Sequence, residues 1–198
     1  MNQEHSRFTE NPIETEKRQK QWQELTDEVN QIKDRLDEGI DEGIKETVIA
    51  LKALEINTSQ SCEGHDGHDG HPEGTPFVDI SAPDSHELEQ TLNKLLEQNT
   101  ESKQIDELIE KISNSNKNEC AKIAPYLADF YIDRTVDPKV KLGVHYYDLA
   151  IGRLESEAVN IRERKNESAL PTQQELELYR KEMTDFGEFL KSKYFEQK

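Results

Sequence analysis

The chain has 198 residues, enough for one domain with a buried core, and 42 Asp and Glu against 25 Lys and Arg give it a formal net charge of −17. This charge excludes general nucleic-acid binding, which depends on Lys and Arg meeting phosphates, and it excludes adsorption to an anionic membrane surface. Hydrophobic residues make up 32% and charged residues 34% of the chain, which predicts long solvated helix faces around a modest core.

Cysteine content and the first residues indicate the compartment. Two cysteines do not make a disulfide framework, and residues 1–22 contain no apolar run of the kind found in signal peptides or anchors. We therefore expect a cytoplasmic protein in a reducing environment, with no membrane-spanning segment.

The chain is expected to begin with a disordered tail over residues 1–12. From Ile13 to Leu36, apolar residues recur every three or four positions and predict a helix with a narrow apolar stripe: Trp22, Leu25, Val29, Ile32 and Leu36. Because the rest of this helix is charged, we expect it to lie on the protein's own surface, on a protein partner or on a second copy in a homodimer.

A second helix is predicted after Gly39 and Gly43, with Asp37 or Asp41 as its N-cap and a wide apolar face typical of a core helix. It leads without a break into a short strand that ends at Ser61–Cys62. Beyond a loop, "PFVDI" is β-rich and predicts a second short strand.

Three further helices are predicted next, the first capped by Asp84 or Ser85 and the last interrupted near Pro125. Enrichment in Val, Tyr and Ile predicts two strands, around Leu142–Tyr147 and Ala150–Glu155. Pro171 and Thr172 then begin an amphipathic C-terminal helix. Together these elements predict a single α+β domain over residues 13–198, in which several helices cover a small, mostly antiparallel sheet.

The segment 58–80 concentrates side chains that bind metals. Cys62, His65, His68 and His71 follow one another at intervals of three, with glycines between them and no Lys or Arg in the segment. Thiolate and imidazole ligands in a tetrahedral arrangement suit Zn²⁺. These four residues are therefore predicted to bind zinc or another divalent metal, the alternative being an acidic loop that binds nothing in the cell.

The same segment offers other chemistry. Cys62, Glu63 and His65 are candidate catalytic residues, with Cys62 as a nucleophile or Glu63 as a general base, although acidic surroundings raise the pKa of a thiol. Ser61 and Gly64 are candidate cofactor-binding residues, because their backbone amides could form a nest for an anion.

Ligand-type side chains elsewhere have simpler interpretations. Cys120 is expected to be a small core residue, His86 to lie in the first turn of a helix, and His145 to pack half-buried in the sheet. Arg153 either pairs with the acidic loop or is a surface charge on a strand edge.

The run "GIDEGIKETVIALKALEINTSQSCEGH", followed by "PFVDI", resembles a group of uncharacterised bacterial proteins in which a helix leads into a Ser-Cys-Glu-Gly-His turn and a strand. "GRLES" and "FGEFLKSKYF" look like later pieces of the same pattern. The resemblance implies a shared fold and a shared site at Ser61–His65. The following "DGHDGHPEG" looks like an insertion in this chain, so the resemblance does not extend to His68 and His71.

A fainter similarity is to the wybutosine-synthesis methyltransferases that act on transfer RNA, in which a helix and strand lead to a Ser-Cys-x-Gly turn. Ser61, Cys62 and Gly64 match that turn, while His65 stands where the family has a basic residue. The sequence thus predicts a divalent-metal or small-ligand site at Ser61–His65. The alternatives are a methyltransferase-like or nucleotide-modifying enzyme, and a helical protein–protein interaction module without catalysis.

Overall fold

The structure, a computed structural model, describes residues 12–33, 37–65, 74–98, 102–159, 161 and 171–197. The helices are α1 (Pro12–Val29), α2 (Glu42–Ala53), α3 (Ser85–Glu97), α4 (Ser102–Ala121), α5 (Ala124–Phe130) and α6 (Gln173–Glu196). The strands are β1 (Thr58–Cys62), β2 (Phe77–Ile80), β3 (Leu142–Tyr146) and β4 (Gly152–Ser156), and a short 3-10 turn, Asp148–Ala150, joins β3 to β4.

The strands form one antiparallel sheet in the order β1-β2-β4-β3, which confirms the predicted α+β fold and its long terminal helices. Side chains alternate between the two faces of a strand. The first face carries Val78, Ile80, Leu142 and Leu154, each at most 3% exposed, and it packs into the hydrophobic core with α2, α4, α5 and α6. The second face carries polar and aromatic side chains and faces a cavity.

Helix α6 crosses α2 in close contact, and this contact fixes the position of the start of α2. A side chain at Gly187 would overlap Thr47, so glycine lets the two helices approach. The Thr47 hydroxyl donates to the carbonyl of Met183 (3.2 Å). The predicted start of α6 is confirmed, because Thr172 and Glu175 form a capping box.

Helix α1 lies against the C-terminal end of α6. The Trp22 ring is 5.8 Å from the Tyr194 ring and 5.6 Å from the Phe195 ring, and Val29 is fully buried. Leu25 packs on the core beside them. The apolar stripe of α1 therefore contacts the chain's own C-terminal helix.

The predicted boundaries differ from the structure at the two ends of α1. The helix ends at Val29 rather than Leu36, since the chain turns at Asn30 and Gln31 on its way back to α2. Leu36 and the predicted tail lie outside the described residues, apart from Pro12, the first residue of α1. Across the described ranges, no helix has the length and apolar character needed to span a membrane.

Candidate metal centre

Three side chains from separate points of the chain meet at the end of β1. Asp41 is the N-cap residue of α2, Cys62 is the last residue of β1, and His65 follows three residues later. The His65 Nε2 atom is 3.6 Å from Asp41 Oδ2, and a ligand atom from each of the three residues lies within 4.8 Å of the other two. His65 is only 6% exposed, while Asp41 and Cys62 are half-buried. Among the described residues, no other group of three His, Cys, Asp or Glu side chains brings its ligand atoms this close.

The Asp41 carboxylate takes part in an exchange of capping roles with Glu63. Asp41 occupies the N-cap position of α2, yet its side chain accepts no hydrogen bond from the helix. Instead, Asp41 Oδ2 accepts from the Glu63 amide (3.0 Å), and Glu63 Oε2 accepts from the Gly43 amide (2.8 Å) in the first turn of α2. Glu63 therefore supplies the carboxylate that an open helix N-terminus needs, and Asp41 is left facing Cys62 and His65.

Gly64 shapes the turn that separates the cysteine from the histidine. Its φ of +82° lies in the left-handed region that glycine adopts readily. In that conformation the Gly64 amide points at the Cys62 sulfur (3.3 Å). His65 then pairs with Gly74 in a two-bond antiparallel bridge of 3.1 and 2.9 Å, which fixes the backbone of His65 beside β1.

Arg180 of α6 holds the same turn from the outside. Its Nε donates to the Glu63 carbonyl (3.1 Å) and its Nη2 donates to the Gly64 carbonyl. Because both carbonyls belong to the segment between Cys62 and His65, the C-terminal helix helps to set the spacing of the two side chains.

The environment of Cys62 favours a neutral thiol in the protein without a bound cation. Burial raises the pKa of the Cys62 thiol, and the nearby carboxylates of Asp41 and Glu63 raise it further, while the Gly64 amide and the Arg180 guanidinium act in the opposite direction. A divalent cation would reverse this balance, since it favours the thiolate.

A cavity of about 910 Å³ opens beside the three side chains. Its walls include Asp41, Cys62 and His65 at one end and Phe77 and Arg153 of the second sheet face at the other. A volume of this size is typical of sites for small molecules. A ligand in the cavity could therefore reach both the three-residue cluster and the sheet.

The structure brings together part of the predicted site. Cys62 and His65 are adjacent, Ser61 lines the same cavity, and the Glu63 carboxylate is bound to the start of α2. Gly64 contributes its amide to Cys62. His68 and His71 lie outside the described residues.

Sequence reasoning missed Asp41 as a member of the cluster. It was recognised only as an N-cap, and nothing in the local pattern shows that its carboxylate faces away from the helix. The signal that could have found it is the second acid: Glu63, which lies beside the candidate ligands, is placed to cap the same helix.

The interpretations of the remaining ligand-type residues can also be compared with the structure. Cys120 is buried in the core (2% exposed), His86 lies exposed in the first turn of α3, and His145 is half-buried on β3, as predicted. Arg153 does not lie on a strand edge, because β4 is flanked by β2 and β3. Its partner is Asp79 of β2.

Comparison of the chain with models of protein families, with curated proteins and with solved structures gives no match. The class of the site is accordingly defined by its geometry: a Cys-His-Asp cluster that could hold a metal ion at the edge of a cavity.

Proposed function

We propose that this protein binds a divalent metal ion, zinc in preference, through Asp41, Cys62 and His65. The observation that carries the proposal is the convergence of three ligand atoms, one each of oxygen, sulfur and nitrogen, within 4.8 Å of one another. The three residues come from a helix N-cap, a strand end and a turn, so the fold and not sequence adjacency brings them together.

The spacing supports binding to one ion. Zinc holds oxygen and nitrogen ligands at about 2.0–2.2 Å and sulfur at about 2.3 Å, so two ligands of a tetrahedral ion lie roughly 3.3–3.5 Å apart. The 3.6 Å between His65 Nε2 and Asp41 Oδ2 is close to this separation. Side-chain rotations of a few tenths of an ångström would bring the cluster to ligand geometry.

The ligand types favour zinc over magnesium or calcium. Magnesium and calcium prefer sites built entirely of oxygen atoms, whereas a thiolate and an imidazole suit zinc and other late transition metals. Three protein ligands beside a cavity are typical of a zinc site that keeps its fourth position for water or a ligand. Both cysteines are free thiols, and we infer a reducing compartment, the cytoplasm, where a thiolate ligand persists.

The same three residues could also serve as a nucleophile with its base and orienting acid. The raised pKa of Cys62 disfavours this function, because a thiol nucleophile needs its thiolate form near neutral pH. Metal binding does not share this requirement, since the ion itself displaces the proton.

The test is metal content, measured by mass spectrometry on protein purified without a histidine tag. We expect about one zinc per chain in the wild type, and loss of the ion in Cys62→Ala and His65→Ala. Asp41→Asn keeps an oxygen that can accept from the Glu63 amide, so it should retain the fold and bind the ion more weakly.

Matched controls are available in the same chain. Cys120→Ala removes a core cysteine, and His86→Ala removes an exposed histidine; both variants should keep the ion. His68→Ala/His71→Ala should also keep it if the three described residues are the ligands. A wild type that takes up no zinc, or site variants that hold as much zinc as the controls, would refute the proposal.

A further inference from the structure

The second sheet face presents an immobilised guanidinium to the cavity. Arg153 binds Asp79 through two parallel hydrogen bonds, from Nε to Oδ1 (2.7 Å) and from Nη2 to Oδ2 (2.8 Å). The Arg153 guanidinium carbon lies 3.8 Å from the centre of the Phe77 ring and 4.9 Å from that of Tyr147. A fork-like ion pair and two aromatic contacts hold this side chain in one orientation.

Arg153 has hydrogen-bonding capacity beyond its pair with Asp79. A guanidinium carries five N–H groups, and the pair uses one on Nε and one on Nη2. Within the described part of the chain, neither N–H of Nη1 has a hydrogen-bond partner. The Arg153 side chain is 27% exposed and lines the cavity, so these donors are accessible to a ligand.

The guanidinium and the metal cluster are a short distance apart. Cys62 is the register partner of Phe77, and the Arg153 guanidinium lies over the Phe77 ring. Neighbouring strands are about 4.8 Å apart, so the cation site and the guanidinium are separated by one to two strand spacings, roughly 5–10 Å. A small molecule of a few carbon atoms spans this distance.

We propose that the cavity binds a small aliphatic dicarboxylate between the metal ion and Arg153. One carboxylate would occupy the fourth position on the ion, and the other would accept hydrogen bonds from Arg153 Nη1. Both ends of the cavity then offer what an oxygen anion prefers, a cation at one end and charge-assisted donors at the other. This inference rests on the proposed metal-binding function and names the class of ligand for that site.

The acidic walls make the ion a condition for ligand binding. Glu38 and Glu155 line the cavity, and Asp79 already balances the charge of Arg153. Without a divalent cation, these acids repel an anion. With the ion bound, the charges of the thiolate and Asp41 are offset, and a dianion gains a direct ligand bond.

The experiment titrates succinate, glutarate and adipate, each alone, into zinc-loaded and zinc-free full-length protein by calorimetry. 1,4-Butanediol serves as the uncharged analogue. We expect at least one of the three acids to bind the zinc-loaded protein, with no binding to the zinc-free protein and none by the diol. Zinc content is measured after each titration, so that removal of the ion by the acid is recognised.

Variants then test the assignment of Arg153. Arg153→Lys keeps a cation for Asp79 but removes Nη1, and it should weaken acid binding by at least about tenfold while zinc content is unchanged. Arg134→Lys is the matched control, because Arg134 also pairs with two acids and stacks on a ring, Phe130, but does not line the cavity. If Arg153→Lys fails to fold, Asp79→Asn/Arg153→Gln removes both charges together and gives the same comparison.

Each outcome is decisive. Acid binding that is as tight in Arg153→Lys as in Arg134→Lys, or as tight without zinc, overturns the assignment. A zinc-loaded protein that binds none of the three acids refutes the ligand class and leaves the metal site standing. A chain that takes up no zinc refutes the metal site and this inference together.

Discussion

Gly64→Ala tests whether the turn between Cys62 and His65 is as tightly built as the structure indicates. A Cβ atom at Gly64 would lie 2.8 Å from both the Cδ and the backbone nitrogen of Pro76, and 2.9 Å from the carbonyl oxygen of Gly74. Two of these neighbours are backbone atoms, so a side-chain rotation does not relieve the overlap. The φ of +82° adds a conformational cost for any residue that has a Cβ.

The expected loss of stability is the sum of these two effects. The left-handed conformation costs a non-glycine residue roughly 1–2 kcal/mol, and overpacking typically costs about 1–3 kcal/mol. Gly64→Ala should therefore lower the free energy of unfolding by about 2–5 kcal/mol, a large part of the roughly 5–15 kcal/mol that stabilises an ordinary domain. For a chain of this size, 2 kcal/mol corresponds to a fall in Tm of about 4 °C or more.

The assay is urea denaturation of metal-free protein in the presence of a chelator, so that ligand binding does not contribute to the measured stability. Gly74→Ala is the control, since a Cβ at Gly74 meets no atom within 4 Å although the residue pairs directly with His65. It should change stability by less than about 1 kcal/mol. Equal stabilities of the two variants would refute the account of the turn.

Two further predictions concern the thiol and the core. Because the pKa of the Cys62 thiol is raised, zinc must displace its proton below that pKa, and apparent affinity should rise by up to about tenfold per pH unit on going from pH 6 to pH 8; an affinity that falls over this range in a competition assay would contradict it. Fully buried Asn116 of α4 accepts from the Ala82 amide and donates to the carbonyl of Leu149. Asn116→Ala should cost about 2–4 kcal/mol in thermal or urea unfolding, against less than about 0.5 kcal/mol for exposed Asn118→Ala on the same helix; similar losses would show that this hydrogen-bond hub contributes little.

The fold was largely predictable because its signals are local. The apolar face of α2, the Thr172 start of α6 and the β-rich runs at 77–80 and 142–146 each appear within one element. The end of α1 was placed too late. Apolar spacing continues through Ile32, but the chain turns after Val29 because it must return to α2, and that requirement comes from tertiary structure.

The candidate site was predictable only in part, for a related reason. Cys62 and His65 are three residues apart, so their pairing could be inferred from sequence. Asp41 reaches them across more than twenty residues, through a backbone bond to Glu63 that no local pattern reveals. The face of the sheet with Arg153 was also missed, because the strand order that makes β4 an interior strand is not written in the composition of the strand.

The exchange between Asp41 and Glu63 has a consequence for how related chains would diverge. Glu63 serves the helix, through the Gly43 amide, and Asp41 serves the cluster with Cys62 and His65. Two acids that look equivalent in sequence are thus subject to separate selective pressures. In a lineage that lost the ion, Asp41, Cys62 and His65 would drift together, while Glu63 would be retained for as long as α2 begins at the same residue.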